Sequence, residues 1–282
     1  MSPWEQLLDR PHSGGHFVHL YEVDPEALAT NVGRYACEGL RRGDGVLIIA
    51  TPEHRDLFSR CLDRLGADLP GLLARRQLLF LDAHETLAGF MVDGRPDWLR
   101  FERDMRAAMR RVRPIEGAEG LRAYGEMVGI LWKARQFAAA VRLEQFWNKL
   151  SEQSAFSLYC AYAIDVFSND FDIANLEEVL RTHTHLLPSQ PNGTLERALN
   201  RAMDEVLGAE ADALRIVIKA NYRPARAVMP AAENIILWLR KNLPERVDEI
   251  ATRARYYYEL LSESAGSGER LPYIKSDKVR HS

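Results

Sequence analysis

The run Gly45-Val-Leu-Ile-Ile-Ala50 constrains the fold more than any other stretch of the chain. A strand with one wet face alternates apolar and polar residues. A run that is apolar on both faces belongs inside a parallel sheet covered by helices on both sides. Parallel strands cannot be joined by tight turns, so helical segments have to separate them.

The sequence supplies those segments. Before the run, Asp24 is a cap, Pro25 takes the first helical position, and Leu28, Val32, Ala36 and Leu40 recur at helical spacing until Gly43. After it, Thr51-Pro52 repeats the cap-then-proline start, with Leu57, Cys61, Leu62 and Leu65 as the apolar stripe and Gly66 as the stop. Four further strands are expected: His16-Phe-Val-His-Leu-Tyr21, Gln77-Leu-Leu-Phe-Leu-Asp82, Leu121-Arg-Ala-Tyr124 and Phe156-Ser-Leu-Tyr-Cys-Ala-Tyr162. Asp97 opens a helix carrying Phe101, Met105, Met109 and Val112. Two more helices fill residues 126–136 and 138–150, the second with Ala139, Leu143, Phe146, Trp147 and Leu150 inward. Strands alternating with helices give an α/β fold, a three-layer and mostly parallel sheet.

After a helix on Ile173, Leu176, Val179 and Leu180, the segment Leu187-Pro-Ser-Gln-Pro-Asn-Gly193 reads as a linker. No strand pattern follows it. Helical stripes on Leu195, Leu199 and Met203, on Leu214 and Ile218, and after Pro230 and Pro244 make residues 194–265 a small all-helical C-terminal unit, with 266–282 a loose tail. The expected organisation is therefore 14–187, then 194–265, then the tail.

Composition narrows the partners. A net charge of −3 lacks the footprint of a nucleic-acid or anionic-membrane surface, and acids and bases nearly balance beyond residue 194. No signal-peptide pattern occurs and no apolar run approaches the ~20 residues of a membrane span, so a cytoplasmic protein is expected. Cys37, Cys61 and Cys160 are odd in number, far apart and outside any C-x-x-C pair, which disfavours a disulfide framework or a thiolate zinc site.

Candidate chemistry gathers where strands end. The first strand-to-helix turn, Tyr21-Glu-Val-Asp-Pro-Glu26, holds acids where a phosphate cradle needs glycines and a lysine. The motif G-x-x-x-x-G-K-[ST] is absent, so ATP hydrolysis is not expected. Asp82, His84 and Glu85 follow the third strand and Glu126 the fourth, beside the crevice that open parallel sheets offer to ligands. Carboxylate and imidazole there suit acid/base or polar binding roles, while Asp82 and Glu126 also suit plain helix capping. His16 and His19, three apart on a strand, face opposite sides and cannot easily share a metal. His183 and His185 flank Thr184 at a helix end, where polar or positive groups suit the carbonyl terminus.

Tyr124-Gly-Glu-Met-Val128, with Leu131-Trp132, Leu143-Glu144, Trp147-Asn148 and Leu158-Tyr-Cys-Ala-Tyr162, resembles the MEDS family, a sensory domain named for methanogens, methylotrophs and a dichloromethane-responsive regulator. His16-x-x-His-Leu-Tyr21, Glu38-Gly-Leu-x-x-Gly43 and Asp82-Ala-x-Glu-Thr86 look like earlier blocks of that family in the same order, so the resemblance covers about residues 14–187. It implies a RecA/KaiC-like fold without its phosphate loop, a role in sensing small hydrocarbon derivatives, and output through attached modules.

These readings together lead to a non-catalytic sensory regulator in which His16, His19, Tyr21, Asp82, Glu85, Tyr124, Glu126 and Cys160 line a crevice for a small organic ligand. No metal or cofactor is expected. Residues 194–265 relay to a protein partner or a second copy of the chain, and no nucleic acid or membrane is contacted. The rivals are a nucleotide-binding ATPase relative with an atypical phosphate site, and a purely structural scaffold.

Overall fold

The computed structural model describes residues 3–21, 25–118, 120–168, 173–188, 193–221 and 227–267. Helix α1 (Pro3–Asp9) precedes β1 (His16–Tyr21), α2 (Pro25–Arg41), β2 (Gly45–Ala50), α3 (Pro52–Arg64), α4 (Leu69–Ala74) and β3 (Leu78–Asp82). Then come α5 (Ala83–Phe90), a small hairpin of β4 (Met91–Val92) and β5 (Arg95–Pro96), α6 (Trp98–Arg111), β6 (Leu121–Gly125), α7 (Met127–Lys133), α8 (Phe137–Ser151) and β7 (Ser157–Ala163). The chain continues through α9 (Ile173–Thr182), β8 (His185–Leu187), α10 (Thr194–Leu207), α11 (Ala211–Asn221), α12 (Ala231–Asn242) and α13 (Pro244–Ser267). Residues 22–24, with the expected cap Asp24, and nearly all of the 266–282 tail lie outside the described residues.

The main sheet has the order β3-β2-β6-β7-β1-β8, and every pairing in it is parallel. Strand β2, the all-apolar run, is buried at every position between β3 and β6. Side chains alternate across the sheet, so its two faces carry two separate cores. Phe17, Ile48, Tyr124 and Tyr159 meet Leu28, Val32 and Phe58 of α2 and α3 on one face. Val18, Leu47, Ala123 and Cys160 meet Phe101, Leu143, Trp147 and Leu176 of α6, α8 and α9 on the other. This is the expected three-layer α/β arrangement.

Besides the small β4–β5 hairpin, one strand of the main sheet was not legible. His185–Leu187, which the sequence places in a helix end and linker, is the sixth strand of the main sheet, paired with β1 through Phe17–His19. Its outer edge is covered by the C-terminal region: Leu186 donates its N–H to the Val228 carbonyl, and Val228 donates to that of Thr184. The apolar residues of α10, α12 and α13 belong to the same continuous core as α6, α8 and α9. Polar ties reinforce it, with Lys241 on Glu177, Arg240 on the Val166 carbonyl and Arg255 on Asp165. None of the helices in the described residues is long and apolar enough to cross a membrane.

Candidate functional site

The eight residues expected to line one crevice fall into three places. Asp82 and Glu85 stand at the edge strand β3, where the Asp82 Oδ1 accepts the Glu85 backbone N–H at 2.9 Å and so caps α5, while the Glu85 side chain is exposed. Here the capping role is the one realised.

A second group gathers at the carboxyl ends of β1, β2 and β6. Chains leaving β2 and β6 turn to opposite faces of the sheet, which opens a switch point of the kind where α/β folds hold ligands. Glu126 fills it. Its carboxylate makes no cap to its own helix α7. It reaches across to α3 instead, accepting the Thr51 backbone N–H, lying 2.6 Å from His54 Nδ1, and accepting the Tyr124 hydroxyl at 3.1 Å. The hydrogen bond and charge of Glu126 raise the His54 pKa against the opposing effect of burial. Burial, and then the Glu126 charge, push the Tyr21 hydroxyl up to about 12. Tyr21 lies edge-on to His54 with ring centroids 6.1 Å apart, and 6.3 Å from His19.

His19 completes this group from within the sheet. It is fully buried, with Nδ1 2.9 Å from the Tyr159 hydroxyl, and burial lowers its pKa to about 4, so the ring is neutral. Its Nε2 has no hydrogen-bond partner among the described residues. His54 was not expected here; it is the third residue of α3, and only its one-turn distance from Thr51 hinted that it would face the same strand ends.

The third place lies on the opposite face of the sheet, toward its amino-terminal end. His16 and Cys160 do come together there, Nε2 to Sγ at 3.4 Å, but with Glu144 of α8 and His183 of the α9–β8 turn rather than with His19. All four are buried, and their donor atoms lie within 4.8 Å of one another. Tyr162 donates its hydroxyl to Glu144 Oε1 at 2.5 Å. Burial alone would raise the Glu144 pKa, yet the two imidazoles and the Tyr162 hydroxyl outweigh it and hold the carboxyl at about 2. Burial drives His183 down to about 3 and the Cys160 thiol well up. His183 does answer the end of α9, as a polar rather than a positive group: its Nδ1 lies 2.8 Å from the Val179 carbonyl. Two imidazoles, a carboxylate and a sulfur are the donor types that late first-row metals take.

Glu144 could have been suspected from sequence. It stands four residues after Ala140 and three before Trp147, on the buried stripe of α8, where an unpaired carboxylate would be costly.

A cleft of about 500 Å³ opens at the amino ends of β6 and β7, bordered by Arg10, Arg42, Asp44, Arg122 and Ser157. Arg122 there is committed structurally, bonding Asp44 and the carbonyls of Leu8, Asp9 and Tyr35, which fastens α1 to the sheet.

Comparison with known families matches residues 15–184 to a model described as MEDS, the methanogen/methylotroph, DcmR sensory domain. Comparison with curated proteins returns no match.

Proposed function

The chain belongs to the MEDS family of sensory domains, and from that premise we propose that it is a non-catalytic cytoplasmic regulator that binds a small organic ligand at the carboxyl ends of β1, β2 and β6. The supporting observation is the unpartnered Nε2 of buried His19, set beside Tyr21, Tyr124, His54 and Glu126. A buried polar atom without a partner is costly and is retained where something else satisfies it. A hydroxyl, carbonyl or similar group on a compact hydrocarbon skeleton would complete that bond, with the tyrosine rings supplying apolar surface. Occupancy would reach a protein partner through residues 194–265, which share the core of the sensory domain and cover the edge of β8.

Native mass spectrometry of freshly purified protein, followed by thermal-shift screening of short alcohols, aldehydes and halogenated alkanes, tests this reading. The expected result is a retained small molecule, or a compound that raises Tm in the wild type and not in Glu126→Gln. Micromolar binding of ATP by calorimetry, with or without magnesium, would replace the reading with the nucleotide-dependent one.

A further inference from the structure

The cluster of His16, Glu144, Cys160 and His183 is on the other side of the sheet from the proposed ligand site, and nothing in the ligand-sensing reading uses it. Its hydrogen bonding specifies more than burial does. Asn148 donates its side-chain amide to the Thr182 carbonyl at 2.8 Å, which fixes its Oδ1 as an acceptor; that oxygen lies 2.9 Å from His16 Nδ1. His16 Nδ1 therefore carries the proton. His183 Nδ1 lies 2.8 Å from the Val179 carbonyl, an acceptor only, so it too carries its proton. The two Nε2 atoms then face the Glu144 carboxylate, at 3.2 and 3.5 Å, and that of His16 also meets the Cys160 Sγ at 3.4 Å. His183 Nε2, wholly buried, has no hydrogen-bond partner among the described residues.

An imidazole nitrogen facing a carboxylate needs a proton or a metal ion between the two. Counting either Glu144 oxygen, four of the donor separations are close to those of a coordination shell, and all lie within 4.8 Å. Bonds of about 2.0–2.3 Å to nitrogen, oxygen and sulfur around a tetrahedral ion place neighbouring donors about 3.3–3.6 Å apart. The observed separations are 3.2 Å for His16–Glu144, 3.4 Å for His16–Cys160, and 3.5 Å for both Cys160–Glu144 and His183–Glu144. Each histidine also has its other nitrogen held by an oxygen acceptor, as metal-bound histidines usually do.

We propose that His16, Glu144, Cys160 and His183 form a closed, four-ligand site for a divalent first-row transition metal of the zinc class. Imidazole and sulfur disfavour magnesium and calcium, which take oxygen shells. Binding replaces the Cys160 S–H proton, released to solvent, with a sulfur–metal bond, and involves no redox change. The ion joins β1, β7, α8 and the α9–β8 turn. That turn is where Val228 attaches the C-terminal region to the sheet, so metal occupancy sets the firmness of the attachment.

The test is expression of the full chain in zinc-limited medium supplemented with Co²⁺, then metal analysis and absorption spectroscopy. Expected are near-equimolar cobalt, intense visible bands of tetrahedral Co²⁺, and a thiolate-to-cobalt charge-transfer band. That band should survive in the Cys37→Ser/Cys61→Ser double variant and vanish in Cys160→Ser. Competition with a chelator should show Asn148→Ala binding about 10–100-fold more weakly, because the His16 orientation is lost. Cobalt absent from the wild type, no thiolate band, or loss of the band in the Cys37/Cys61 variant would each overturn the proposal. Should Cys160→Ser fail to fold, the wild-type spectrum and the double variant still decide it.

Discussion

His54 Nδ1 lies 2.6 Å from the Glu126 Oε2, joining the first turn of α3 to the end of β6. The same carboxylate takes the Thr51 N–H, so one acid closes the switch point between β2 and β6 and starts the neighbouring helix. The bond raises the His54 pKa above its ordinary 6.5. A histidine whose folded pKa is raised contributes stability that is fully present below the unfolded pKa and is lost as pH rises through the folded one. Wild-type Tm minus that of His54→Gln should therefore be largest below pH 6.5 and shrink in mildly alkaline buffer. In NMR titration the His54 midpoint should lie above 6.5 and fall in Glu126→Gln; an unchanged midpoint would break the link.

His19 gives the opposite sign. Its native pKa is lowered to about 4 by burial, so between 6.5 and about 4 the unfolded chain takes up a proton that the native chain refuses. Stability falls through that window and levels below it, by roughly 3 kcal/mol at about 1.4 kcal/mol per pK unit. Denaturant unfolding of wild type and His19→Gln across this range should show the variant losing less as pH falls. Parallel curves would mean that His19 titrates normally.

The strand skeleton was legible because each long strand carries its own composition. Gly45–Ala50 could be nothing but an interior strand, and it is buried throughout. His185–Leu187 escaped because three residues, one of them a histidine after Thr184, have no period to read. The strand exists by virtue of pairing with β1 and Val228. The opposite faces of His16 and His19 followed from strand alternation alone. Their partners did not, since Glu144 of α8 and His183 of the α9–β8 turn lie 128 and 167 residues beyond His16, and only the crossovers of α8 and α9 bring them beneath the sheet.

At Gly129 helix α7 comes close to the backbone of β7. A Cβ there would stand 2.7 Å from the Ala161 carbonyl oxygen, a backbone atom that cannot swing away. Gly129→Ala should cost about 1–3 kcal/mol through overpacking, despite the better helix propensity of alanine. Gly89→Ala in α5 is the control, because its Cβ would meet only the Asp104 carboxylate at 3.4 Å. Chemical denaturation should find the first variant destabilised and the second neutral or more stable. Equal stabilities would show that α7 can move off β7.

The C-terminal helices were expected to be a separable output unit, with the α/β part remaining folded without them. Their packing argues for a different outcome on truncation after residue 188. Leu199, Met203, Ile236 and Ile250 are in one core with Leu176 and Val179, so removing α10–α13 uncovers apolar surface on α9. It also strips Glu177 of Lys241, Asp165 of Arg255, and the β8 edge of Val228. An uncovered edge strand beside fresh apolar surface favours association between chains. The truncated protein should unfold at a lower temperature than the full chain and scatter light at micromolar concentration. A monodisperse fragment with unchanged Tm would instead show that the shared core adds nothing to the sensory domain, and that the helices are an appendage free to move when a ligand binds.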